Sequence, residues 1–120
     1  MGGSVGNQID ALEAKYRKYA EAFGAASVRG DAKDTNRNYE KLVAVRPKLI
    51  ACGAQGEAVL CRLMKDRSDA VARSAAFDSL PFAEVEALEV LDAIAKKAGP
   101  IALDAMMCAE LWRAGELKVR

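Results

Sequence analysis

Apolar residues recur along this chain every three or four positions, the period of an α-helix rather than a strand. Ile9, Leu12, Tyr16, Tyr19 and Phe23 form one stripe, and Glu13, Lys15, Arg17 and Lys18 are free to face water. The pattern predicts a helix over 8–28 and five more over 32–52, 55–65, 69–79, 83–98 and 100–114. Tyr39, Leu42, Val43, Leu49 and Ile50 are the expected inward positions of the second, and Ala58, Val59, Leu60, Leu63 and Met64 those of the third. The fifth presents Leu88, Leu91, Ile94, Ala95 and Ala98, and the sixth Ile101, Leu103, Met106, Met107, Leu111 and Trp112. No period-2 run and no Asn-Gly turn marks a strand.

The punctuation agrees with these boundaries. Gly30 suits a position just past a helix end, and Asp31 suits an N-cap, where its carboxylate accepts free backbone N–H groups. Pro47 lacks an N–H and crowds the carbonyl of Val43, so the second helix should kink there or break near Arg46. Gly53 ends it, and Ser68 or Asp69 caps the fourth helix. Pro81 should force Leu80 out of helical geometry. Gly99-Pro100 reads as the end of one helix and the first turn of the next. Gly115 stops the sixth, with Leu117 expected to fold back onto its end.

The stretch from Leu63 to Leu80 carries the most architectural information. Val71, Ala75, Ala76 and Leu80 share a face, and the two adjacent alanines let a partner helix approach closely. Several of these helices fall at or below the ~12–15 residues that are marginal alone in water, so they must stack. Short turns make successive helices antiparallel neighbours. The expected fold is all-α, about six helices in three antiparallel hairpins, a right-handed HEAT-like α-α superhelix.

At 120 residues, the chain is read as a flexible tail over 1–7 and a single helical domain over 8–120. Apolar residues make up 52% and charged residues 29%, the balance of a globular protein. There is no histidine, which removes the commonest general base, pH switch and metal ligand. Net charge is +1, so no strong overall field draws the molecule to nucleic acid or membrane. Cys52, Cys61 and Cys108 have no C-x-x-C spacing and read as reduced thiols of a cytoplasmic protein, a Cys52–Cys61 bridge being the alternative. No apolar run approaches the ~20 residues that span a bilayer.

Three segments carry a family resemblance: G-D-A-K-D-T-N-R-N-Y-E-K-L from Gly30, C-G-A-Q-G-E-A-V-L-C-R-L-M from Cys52, and C-A-E-L-W-R-A-G-E-L from Cys108. In their order, with the Val71–Leu80 stretch between the last two, they resemble the bacterial domain-of-unknown-function family 2019. Its most specific parts here are the Asn36/Tyr39 region and the closing W-R-x-G-E-L. The resemblance implies a small HEAT-like domain and no activity. HEAT-like helices usually follow such a valine with arginine. Here Ala72 takes that place and Arg73 comes one residue later, about 100° around the helix.

The candidate interaction surface is Arg62, Lys65, Arg67 and Arg73, around and beyond the third turn. These could grip phosphates or an acidic partner, or form a solvated rim balanced by Asp66 and Asp69. Glu84, Glu86, Glu89 and Asp92 form an acidic stripe that either meets a basic protein or faces water. Trp112, beside Met106, Met107 and Cys108, marks a pocket or anchors the last helix. Tyr16, Tyr19, Phe23 and Tyr39 seal the first two helices or line a groove, with Asn36 bonded to a neighbouring loop. No histidine serves the cysteines, and the glycines read as caps or tail rather than as a phosphate loop. No catalytic, cofactor or metal site is expected. The functional expectation is a non-catalytic protein–protein interaction module, an adaptor or an immunity- or antitoxin-like partner. Nucleic-acid association through the basic edge is the alternative, and carboxylate chemistry in the groove is a third reading.

Overall fold

Among the described residues six α-helices follow one another: α1 (Gly3–Arg29), α2 (Ala32–Ala51), α3 (Ala54–Leu63), α4 (Asp69–Ser79), α5 (Glu84–Ala95) and α6 (Pro100–Arg113). This computed structural model describes the backbone of residues 3–119 and the side chains of 6–119. Residues 1 and 2 of the expected tail lie outside that range, and α1 begins at Gly3 rather than residue 8. At 1.5 Å per residue its 27 residues span about 40 Å, which sets the 46 Å long axis.

Turn chemistry explains the joints. Gly30 adopts φ 73°, Gly30 N–H bonds Ser27 O and Asp31 N–H bonds Ala26 O, so α1 ends in a Schellman motif. Asp31 then caps α2 by accepting from the N–H of Asp34 at 3.0 Å. The same Schellman pattern closes α6 at Gly115, whose N–H bonds Trp112 O while Glu116 N–H bonds Leu111 O. α2 runs through Pro47 to Ala51, held on the core by the fully buried Leu49, so it does not break near Arg46. Two boundaries differ from expectation. Leu80 keeps helical angles before Pro81, because its side chain is fully buried and the turn beyond bonds back to Ser79 O. α5 ends at Ala95, so Gly99 is the N-cap of α6 rather than the end of α5.

α4 is the hub. Nearly every one of its residues is buried, and it packs against α1, α3, α5 and α6. In a simple stack of hairpins α3 would lie along α1; here α1 packs mainly on α2 and α4. Gly24 permits this approach, because a Cβ there would overlap Cβ of Ala70. Gly56 plays a similar part between α2 and α3, where a Cβ would overlap the backbone carbonyl of Leu49. Both glycines lie within helices and neither is a cap or tail. The core joins Tyr16, Leu49, Leu60, Leu63, Val71, Leu80 and Leu91, all essentially without solvent contact.

Candidate functional site

Two helices bury a different face from the one their apolar pattern indicates. On α2 the inward residues are Leu42, Val45 and Leu49 with Asn38 and Arg46, while Tyr39 and Val43 are 46% and 47% exposed. On α6 the inward residues are Ala102, Ala105, Cys108 and Ala109. Its large apolar side chains Leu103, Met106, Met107 and Leu111 face outward, the last two 49% and 37% exposed. Small residues let α6 lie close to its neighbours and push its bulk to the outside.

The result is a pocket of about 520 Å³, with α2 and α6 as walls, α4 contributing Arg73, Ser74, Phe77 and Asp78, and Phe23 from α1. Tyr39, Val43, Met107 and Leu111 line it and are exposed. Leu117, Lys118 and Val119 close another side, so the segment beyond Gly115 folds back across the groove as well as onto the helix end. This volume falls within the ~300–1,000 Å³ of ligand pockets.

Two arginines reach this pocket, and both are buried. Arg46 Nη2 donates to the backbone carbonyl of Asp78 at 3.0 Å. Its Nε lies 3.2 Å from Asp78 Oδ1, an ion pair without a linear hydrogen bond. Tyr16 donates its hydroxyl to Asp78 Oδ2 at 2.6 Å. Burial pushes the Asp78 carboxyl up to about 6, opposed by the Tyr16 hydrogen bond and by the charges of Arg46 and Arg73. Arg73 lies 2.7 Å from Asp104 Oδ2 through Nη1, donates to Ser74 Oγ at 2.9 Å, and sits 5.1 Å above the Phe23 ring. Burial also raises the Cys108 thiol; Asp104 adds to that effect and Arg73 opposes it.

The four basic residues singled out from sequence divide at the pocket. Arg73 lines the groove, and Arg62, Lys65 and Arg67 do not. Arg62 pairs with Glu13 on α1. Around the same turn Asp66 pairs with Arg17, and Asp69 with Lys97 at 2.9 Å. The acidic stripe is partly engaged by α6: Trp112 Nε1 donates to Glu84 at 2.7 Å, and Arg113 forms a two-pronged pair with Asp92. Trp112 is half-buried on the core and does not line the pocket, although Met107 and Cys108 do. Tyr16 is wholly buried, Phe23 and Tyr39 meet at 5.7 Å, and Asn36 is exposed. The buried amide is Asn38, which donates to Asp34 O at 2.9 Å. All three cysteines are free, so the alternative Cys52–Cys61 bridge is not formed. Among the described residues no cluster of ligands could hold a metal ion, and no helix is long and apolar enough to cross a membrane.

Sequence reasoning missed Arg46 and Asp78. Their signal was register: Leu42, Arg46 and Leu49 share one helical face, as do Val71, Ala75 and Asp78. A charge on a buried stripe needs a partner, and each supplies the other's.

The chain is similar to the crystal structure of the protein RPA1889 from Rhodopseudomonas palustris CGA009. The two are 27% identical, with 93% of each chain covered and a TM-score of 0.82. No protein-family model and no curated protein matches the sequence.

Proposed function

We propose that this protein is a non-catalytic protein-binding module of the cytoplasm, a HEAT-like member of the family its sequence resembles. It takes an apolar segment of another protein in the groove between α2 and α6, as an adaptor or an immunity-type partner would. The observation that carries this reading is the set of four large apolar side chains, Tyr39, Val43, Met107 and Leu111, held in the open around one pocket. Exposed apolar surface of this kind, grouped around a concavity, is a feature of interaction sites. Methionine adapts its shape to varied partners. A catalytic reading draws no support, because Asp78 is committed to Arg46 and Tyr16 and the groove's thiol is raised rather than activated. Nucleic-acid association draws little, because Arg62 is paired with Glu13 and Arg73 lines a largely apolar groove that Arg62, Lys65 and Arg67 do not reach.

Affinity capture from the source organism, run in parallel with the wild type and a Tyr39→Ser/Leu111→Ser variant, tests the reading. A stoichiometric protein retained by the first and lost by the second is the expected result. A partner retained equally by both would place the interface elsewhere. Duplex or single-stranded DNA binding at low salt that falls steeply with added salt would turn the assignment to nucleic acid.

A further inference from the structure

The two groove arginines differ in how firmly they are neutralised. The counter-ion of Arg46 is Asp78, which is buried beside it and tied to Tyr16 from the opposite helix. That pair is closed to exchange. Arg73 is only 8% exposed along its side chain, but its counter-ion Asp104 is 45% exposed and sits on α6 at the pocket edge. A buried guanidinium is therefore matched to a carboxylate that already has water available.

Charge around the groove favours an anion. The charged side chains lining it are Arg46, Arg73 and Lys118 against Asp78 and Asp104. Asp78 is paired with Arg46, and among the described residues Asp104 is the one further carboxylate that lines the pocket beside Arg73 and Lys118. An incoming carboxylate would meet Arg73 in a setting walled by Phe23, Met107 and Leu111, where a charge-assisted bond is stronger than in water. Asp104 would lose its pairing but swing into solvent, a small penalty for an exposed carboxylate.

We propose that the segment bound in this groove carries a carboxylate among apolar residues, an Asp or Glu side chain flanked by hydrophobic ones. Arg73 is the group that reads it, by exchanging Asp104 for the partner's acid. This rests on the protein-binding reading of the groove and adds to it the chemistry of the partner. Asp104 then acts as an internal competitor that neutralises Arg73 in the empty site and sets a threshold a purely apolar segment does not overcome through Arg73.

The test is selection of phage-displayed random peptides on the full-length protein. Anisotropy titrations of the selected peptides follow, with wild type, Arg73→Met, Asp104→Asn and Leu111→Ser proteins. Selected peptides should combine apolar residues with one Asp or Glu. Replacing that acid by its amide should weaken binding at least tenfold, and Arg73→Met should do the same. Asp104→Asn should tighten binding severalfold, because it removes the competitor; a role confined to structure would not produce tighter binding. As Asp104 is half exposed, that variant keeps the proposal falsifiable even where Arg73→Met fails to fold. Peptides that lose affinity in Leu111→Ser but contain no acid, or that Asp104→Asn binds more weakly, overturn the carboxylate assignment and leave the groove reading intact. Selection of no groove-dependent peptide overturns both. Concentration-dependent dimerisation in sedimentation, abolished by Leu111→Ser, would assign the groove to a second copy of this chain and overturn the proposal.

Discussion

The hydroxyl of Tyr16 meets Oδ2 of Asp78 at 2.6 Å, joining two residues 62 positions apart and tying α1 to α4 in the middle of the core. Both groups are removed from water, and burial raises both: the Tyr16 phenol well above its usual value and the Asp78 carboxyl to about 6. Each partner makes the other's burial tolerable. Tyr16→Phe should cost about 1.5–3 kcal/mol at pH 7.5, the range for a hydrogen bond to a charged group. The loss should shrink at pH 5, where Asp78 is largely protonated. Urea denaturation at the two pH values checks this, and equal losses would show that the bond does not serve the carboxylate charge.

Stability should fall with rising pH through the range in which Asp78 ionises. Its folded value of about 6 lies above the ordinary 3.8, so the folded protein holds the proton more tightly than the unfolded chain between these two values. The contribution is complete below about pH 4 and is lost as pH rises through 6; the gap corresponds to about 3 kcal/mol. Asp34, Asp66 and Asp92 are shifted down and act in the opposite sense, stabilising above their unfolded values and losing that support on acidification. An Asp78→Asn variant should therefore show less decline between pH 5 and 7.5 than the wild type. Parallel urea-midpoint profiles for the two proteins would contradict the assignment.

Gly24→Ala should destabilise although alanine favours helix by about 1 kcal/mol. The new methyl overlaps Ala70 across the α1–α4 contact, and overpacking of this kind costs about 1–3 kcal/mol. Adding Ala70→Gly should recover part of the loss. Gly56→Ala should be worse than Gly24→Ala, because the obstacle is the backbone carbonyl of Leu49, which cannot rotate aside. Thermal melts of these three variants beside the wild type rank the effects.

Ion pairs should divide sharply by burial. Arg113 and Asp92 meet at 3.0 and 2.6 Å but in solvent, so Arg113→Ala should leave the urea midpoint unchanged in 0.5 M salt. Arg46→Met strands a buried carboxylate and should cost about 3–5 kcal/mol near neutral pH. It should cost less at pH 5, since Asp78, deprived of its counter-ion, would hold its proton to still higher pH.

Helices and their ends were legible because their causes are local. Period, the Gly30–Asp31 junction, the Pro100 start and the Gly115 stop each depend on a few neighbouring residues. Leu80 went against the local rule because its own long-range burial outweighed it. Of the candidate site, Arg73 was legible as a basic residue out of its usual register, but its groove was not. The grouping of Arg73 with Arg62, Lys65 and Arg67 rested on sequence proximity, and of the four only Arg73 lines the groove.

From its sequence alone, then, the chain determined six amphipathic helices, their order, their caps and the absence of histidine chemistry. Which apolar face each helix buries was decided only by tertiary packing. A stripe of alanines and a stripe of leucines and methionines on α6 are both apolar, and periodicity does not rank them. The small side chains went inward because they let α6 lie close to its neighbours, and the large ones were left to wall a groove. The joining of Arg46 to Asp78, and of Asp78 to Tyr16, was likewise tertiary, since a charge on a buried face finds its partner only when separate helices meet.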